Sequence, residues 1–158
     1  MKAVALDLDG ALGDTRPLWD AWLADAARRF RTIAELDLDG LPADRGEAAT
    51  LLDVWAAHGV GDWRAALQRF AEDHAPVYLR PDGAAVASLR RLKAAGTRVG
   101  AFTDAPEPLA RVALAHLAGS RRIDTLVTGS GARERLLEQL GPDAVIASSA
   151  DELARAAT

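Results

Sequence analysis

The sequence predicts an α/β fold, a parallel sheet wrapped by helices, and three observations carry that expectation. From Leu79 onward, helix-like and strand-like segments alternate, as successive βα units do. The chain opens on a short apolar run, Ala3 to Leu6, that ends in a polar turn, as a buried parallel strand does. Between the two lies a purely helical stretch holding seven of the eight aromatic residues: Trp19, Trp22, Phe30, Trp55, Trp63, Phe70 and Tyr78. This shift in composition marks an insertion with its own small core, set between the first strand and the rest of the sheet.

Each element has its local reason. Leu18, Trp22, Ala26 and Phe30 recur every four residues, which predicts a helix from Pro17 to about Thr32, with Pro17 suited to a first helical position. Gly40, Pro42 and Gly46 break that pattern in "DLDGLPADRG", so this segment is expected to be a loop. Helices follow over Glu47 to His58 and Asp62 to Ala75, with Asp62 as N-cap. "YLRPDGA" opens a helix that runs through Lys93 and stops at Gly96. "TRVGAFTD" gives the second strand, "PEPLARVALAHLAG" a helix, "IDTLVTG" the third strand and "RERLLEQLG" a helix. "DAVIAS" is the fourth strand and "DELARAA" the last helix. The tryptophans, at helical spacing, are assigned to core packing.

Composition narrows the function classes. The 158 residues suit one compact domain with a small insertion, and 49% apolar content supplies a core. A net charge of −4 with dispersed arginines argues against nucleic acid or an anionic membrane as partner. With no cysteine, disulfides, zinc-thiolate sites and redox motifs are excluded. No run approaches the roughly 20 apolar residues of a membrane span, and the acidic pair interrupts any signal-like run at the N-terminus. A cytoplasmic protein is the expectation.

The chemistry is concentrated in "MKAVALDLDGALGDT". Residues two apart in a strand share a side, so Asp7 and Asp9 at the end of a first strand converge above the sheet, where such folds bind ligands. Gly10 lets the backbone turn closely around that point. Paired carboxylates there suit a divalent metal and a division of labour, one attacking and one moving a proton. The same four letters recur in "ELDLDGLPADR", but that copy follows a helix. Asp37 and Asp39 are therefore expected to be solvated turn residues.

"ALDLDGALGDT", a helical insertion, and then "RPDGAAVASLRRLKAAGTRVGAFTDAP" together resemble the haloacid dehalogenase-like (HAD) superfamily, in its phosphatase branch with a helical cap. The resemblance implies a Rossmannoid parallel sheet in the order 4-1-2-3, with the α/β core in residues 1–16 and 79–158 and the cap in 17–78. It implies Asp7 as the nucleophile of an aspartyl-phosphate. Asp9 becomes general acid/base and lends its backbone carbonyl to Mg²⁺, and Thr103 donates to phosphate. Gly10, Asp104 and Arg133 complete the expected phosphate site, and Asp7, Asp9 and Asp151 the metal site.

Four departures from the family pattern bear on activity. Ala11 stands where threonine is usual, and Asp104 where asparagine is common. "GSGAR" occupies the place of the third-motif lysine and leaves Arg133 as the only nearby cation, which does not freely replace a packed lysine. Ser148 in "VIASSADELARA" stands where the metal aspartate belongs. Asp151 is the remaining acid, although Ser149 and Glu152 have capping-box spacing and an acid there also complements the helix dipole. Losing one preorganised charge stabiliser costs about 10²–10³ in rate. The resemblance, with these departures, therefore implies a weak or degenerate Mg²⁺-dependent hydrolase of a small phosphorylated metabolite. The alternative is a non-catalytic protein that keeps the fold for ligand binding or assembly. His58, His74 and His116 lie apart without ligand spacing and are assigned structural roles.

Overall fold

The computed structural model describes residues 2–30 and 38–158. Four parallel strands form one sheet: β1 (Ala3–Asp7), β2 (Arg98–Thr103), β3 (Thr125–Thr128) and β4 (Val145–Ala147). Their order is β3-β2-β1-β4, which is the expected 4-1-2-3. Register runs Asp7 beside Phe102, Thr103 beside Thr128, and Leu6 beside Ala147. The C-terminal ends of all four strands thus lie along one edge.

Alternation along β1 divides the two faces of the sheet. Val4 and Leu6 join the large core with Val99, Ala101 and Ala147, while Ala5 joins Phe102, Val127, Ala132 and Leu136 on the other side. That second face is covered by α6 (Ala132–Leu140). Gly100 is required there, since a Cβ would come within 2.6 Å of Leu136 Cδ1. Asp7 continues the parity of Ala5 and so leaves the sheet on the α6 side. Asp124 fixes the entry to β3: its carboxylate accepts from Val99 N at 2.8 Å and from Lys93 Nζ, and its own N–H donates to Val99 O.

The helical stretch comprises α1 (Arg16–Phe30), α2 (Arg45–Trp55) and α3 (Trp63–Tyr78). Asp44 and Asp62 cap the last two, accepting from Glu47 N and Ala65 N. The C-terminus of α2 deviates from expectation: it gives way to a wide turn, Ala56–Val60, because Gly59 sits at φ 110°. Helix α3 continues through Pro76 to Tyr78, one turn past the expected stop, closed by Leu79 N donating to Ala75 O at 2.8 Å. Trp22 packs between Trp19 and Trp63, with ring centroids 5.4 and 6.0 Å away, so these three indoles are core residues. This core is not separate, as the sequence suggested. Trp19, Trp22 and Trp63 belong to the same buried cluster as Val4, Leu6 and Leu109, because α3 lies on α5 (Glu107–Leu117). Helices α4 (Gly83–Ala94) and α7 (Ala150–Ala156) close that side of the sheet. No described helix is long and apolar enough to cross a membrane.

Candidate active site

Strand β1 ends at Asp7, and the chain enters a wide turn, Leu8–Leu12, in which Gly10 takes φ 120°. Both aspartates still line one cavity, with Asp9 the more deeply buried of the two. Asp7 is half-buried, lines a cavity of about 240 Å³ beside Thr103, Asp104 and Arg133, and accepts from Asp9 N at 3.1 Å. Burial, reinforced by the neighbouring Asp9 charge, pushes the Asp7 carboxyl up to about 6.

Asp9 is 6% exposed and fully engaged. Its Oδ1 accepts from Thr15 N at 2.8 Å and Thr15 Oγ1 at 2.7 Å. Its Oδ2 accepts from Arg45 Nη2 at 2.6 Å and Thr103 Oγ1 at 2.7 Å. Four bonds fill the roughly four lone-pair sites of a carboxylate. Burial alone would raise the Asp9 pKa, but the Arg45 guanidinium and the Thr15 and Thr103 donors outweigh it, and the group lies below the ordinary aspartate value.

Arg45, which the sequence did not single out, organises this cluster. It is 2% exposed and begins α2. Its Nε and Nη2 donate to Asp104 Oδ1 at 3.0 and 2.8 Å, its Nη1 to Thr15 Oγ1 at 2.6 Å, and its backbone N–H to Asp104 Oδ2 at 3.1 Å. Its neighbours hold the same surface. Asp44 accepts from Ser130 Oγ at 2.6 Å, and a Cβ on Gly46 would overlap the Ser130 amide. Asp104 thus acquires a reason: it is the second carboxylate of a buried guanidinium.

The remaining expected residues divide. Arg133 and Asp104 line the cavity with Asp7, Asp9 and Thr103, joined by Arg16, which was not expected. The Thr103 hydroxyl lies where it was expected, but its proton is given to Asp9. Gly10 does not present its amide to the cavity: that N–H donates to Gly13 O at 2.7 Å, and a Cβ would come within 2.5 Å of Ser148 O. Its absent side chain serves close packing of the turn on the end of β4. Asp151 does not line the cavity either. It stands exposed in the first turn of α7, where Ser149 Oγ accepts from Glu152 N and the Glu152 carboxylate accepts from Ser148 N. In the second DLDG copy, Leu38–Gly40 forms one 3₁₀ turn with Asp39 exposed, and Asp37 lies outside the described residues.

Two solved structures share this architecture. One is the "putative beta-phosphoglucomutase" of Thermotoga maritima, 21% identical, covering 99% of this chain and 82% of that one, with a TM-score of 0.56. The other is CbbY of Rhodobacter sphaeroides, solved in complex with phosphate, 16% identical, covering 98% and 82%, with a TM-score of 0.62. The fold is haloacid dehalogenase-like. No protein-family model and no curated protein sequence matches the chain.

The Mg²⁺ that such folds imply fits this donor set poorly. Among the described residues, no three His, Cys, Asp or Glu side chains gather to hold a cation. Of the carboxylates near Asp7, Asp9 is saturated at its side chain and Asp104 is committed to Arg45, so beyond Asp7 the implied set is left with the Asp9 backbone carbonyl and no second free acid. The end of β4 offers a serine, whose N–H is taken by Glu152.

Proposed function

We propose that this chain is a slow phosphatase-type hydrolase of a small phosphomonoester, with Asp7 as nucleophile. The observation that carries the reading is Asp7 itself: a half-buried carboxylate at the strand edge, lining a cavity with the cations Arg16 and Arg133. A carboxylate oxygen of Asp7 attacks phosphorus and the ester P–O bond breaks. The leaving oxygen takes a proton from solvent water, and a second water attacks the aspartyl-phosphate, losing its proton to solvent, to release inorganic phosphate and free Asp7. Asp9 is the proton carrier that the family resemblance implies, but, ionised and carrying four hydrogen bonds, it has no proton to give in this arrangement. General acid catalysis contributes typically 10²–10⁴-fold, so its suppression supports a low turnover. The relatedness in fold to a protein solved with phosphate is consistent with a phosphorylated ligand.

The test is release of inorganic phosphate from a panel of small phosphomonoesters, with trapping of the phosphorylated chain by mass spectrometry. Turnover and the trapped adduct should both vanish in Asp7→Asn. Turnover that survives that change places the chemistry elsewhere. The saturation of Asp9 favours one second reading, a protein that binds its phosphorylated ligand without hydrolysing it; phosphate binding without turnover would establish that instead.

A further inference from the structure

We infer that Arg45 is the resident cation of this site and stands in for a divalent metal, so that the cavity takes its phosphoryl ligand without Mg²⁺. The inference rests on the phosphate-binding reading above and concerns how its charge is balanced.

Buried carboxylates need a counter-charge. Here one is already present and built in. Asp9 and Asp104 share the Arg45 guanidinium, at 2.6 Å to Asp9 and 2.8 and 3.0 Å to Asp104. Four of the five guanidinium N–H groups are spent on Asp9, Asp104 and Thr15, in the fork geometry that makes arginine a directional partner rather than a point charge. A metal seated against these acids would have to displace Arg45 or sit beside its positive charge.

Displacement is opposed by how the residue is delivered. Its own N–H is tied to Asp104, Asp44 before it is tied to Ser130, and Gly46 after it packs on the Ser130 backbone. Three consecutive residues therefore anchor the start of α2 to the loops after β2 and β3. Arg45 does not line the ligand cavity, so it acts through Asp9 and Asp104 and is a positioning residue. The ligand itself meets Arg16 and Arg133.

The experiment uses the full chain stripped with EDTA. Melting temperature is followed against MgCl₂, with NaCl at matched ionic strength, and inorganic phosphate is titrated calorimetrically with and without Mg²⁺. The wild type should melt at the same temperature in both salts and bind phosphate with affinities that agree within about twofold. A Mg²⁺-specific rise in melting temperature, or phosphate binding tightened about tenfold by Mg²⁺, overturns the inference while leaving the phosphatase reading intact. No phosphate binding in either buffer overturns both. Arg45→Gln supplies the converse. With Asp9 and Asp104 released, this variant should gain a Mg²⁺-dependent rise that the wild type lacks, and a folded variant without that gain also counts against the substitution of metal by arginine. If Arg45→Gln does not fold, the two wild-type measurements decide alone.

Discussion

Asp7→Asn should make the protein more stable, by an amount that grows as pH rises from about 4 to about 6 and then levels off. In the unfolded chain Asp7 ionises near 3.8, and in the folded protein near 6. Between those values the folded state holds the extra proton, so stability falls as pH rises through that window and then levels off. The full displacement corresponds to a cost of about 3 kcal/mol at pH 8, which solvent at the half-exposed carboxylate reduces to roughly 1–2 kcal/mol. Asparagine keeps an oxygen to accept the Asp9 N–H and carries no charge. The variant should therefore match wild type only below about pH 3.5, exceed it at pH 5 by about half the full amount, and exceed it at pH 8 by roughly 2–8 °C in melting temperature for a chain of this size. Asp9 shifts oppositely: its pKa lies below the ordinary value, so its contribution is present above that value and fades only in acid, outside the interval compared. Urea unfolding at pH 5 and pH 8 supplies the free energies. A variant that is equally destabilised at both values would refute the reasoning, because it would mean that the Asp7 charge is compensated and the side chain serves as a structural anchor.

Three further substitutions probe the scaffold around it. Thr15→Val removes the buried hydroxyl that donates to Asp9 and accepts from Arg45, and should cost about 1–3 kcal/mol in urea unfolding; a loss below about 0.5 kcal/mol would show that the network reorganises freely. Gly46→Ala inserts a methyl into the Ser130 backbone and should destabilise by about 1–3 kcal/mol, whereas Gly83→Ala, where a Cβ meets nothing within 4 Å, should not. Asp124→Ala strips the acceptor from the Val99 N–H and should cost about 1–2 kcal/mol. Native-state hydrogen exchange should then quicken at Val99; protection unchanged there would disprove the role given to that carboxylate.

Much of the fold was legible because it follows from short-range pattern. The four strands come from apolar runs and the alternation of elements after Leu79, their order from the resemblance to haloacid dehalogenase-like proteins, and the caps Asp62 and Ser149 from residue type and spacing alone. The gathering of Asp7, Asp9, Thr103, Asp104 and Arg133 along one edge follows from parallel topology, which sends every strand end the same way. What escaped was pairing across distance. Arg45 meets Asp9 across 36 residues and Asp104 across 59, and no periodicity marks it. It sits in "LPADRG", where glycine and proline signal an exposed loop, yet the residue is buried at the foot of α2. The lack of a separate core in the helical stretch was hidden for the same reason: burial of Trp22 at helical spacing is the same signal whichever surface covers it.

Arg45 also changes what the departures in the sequence mean. Taken singly, an extra aspartate at 104 and a serine at 148 look like independent losses from a metal-dependent site. In the structure Asp104 belongs to one charge arrangement with Asp9 and Arg45, while Ser148 pairs with Glu152. Asp104 adds a part-buried carboxylate paired with a nearby cation, a guanidinium fixed from the helical segment. Removing one member of such a buried cluster typically costs about 3–5 kcal/mol, because its partners are left charged and unpaired. Asp9, Asp104 and Arg45 are therefore mutually constrained, and so are the two parts of the chain that carry them. The same ion pairs that set the protonation state of Asp9 hold α2 onto the strand edge, so the chemistry of the site and the seating of the helical segment are one energetic unit.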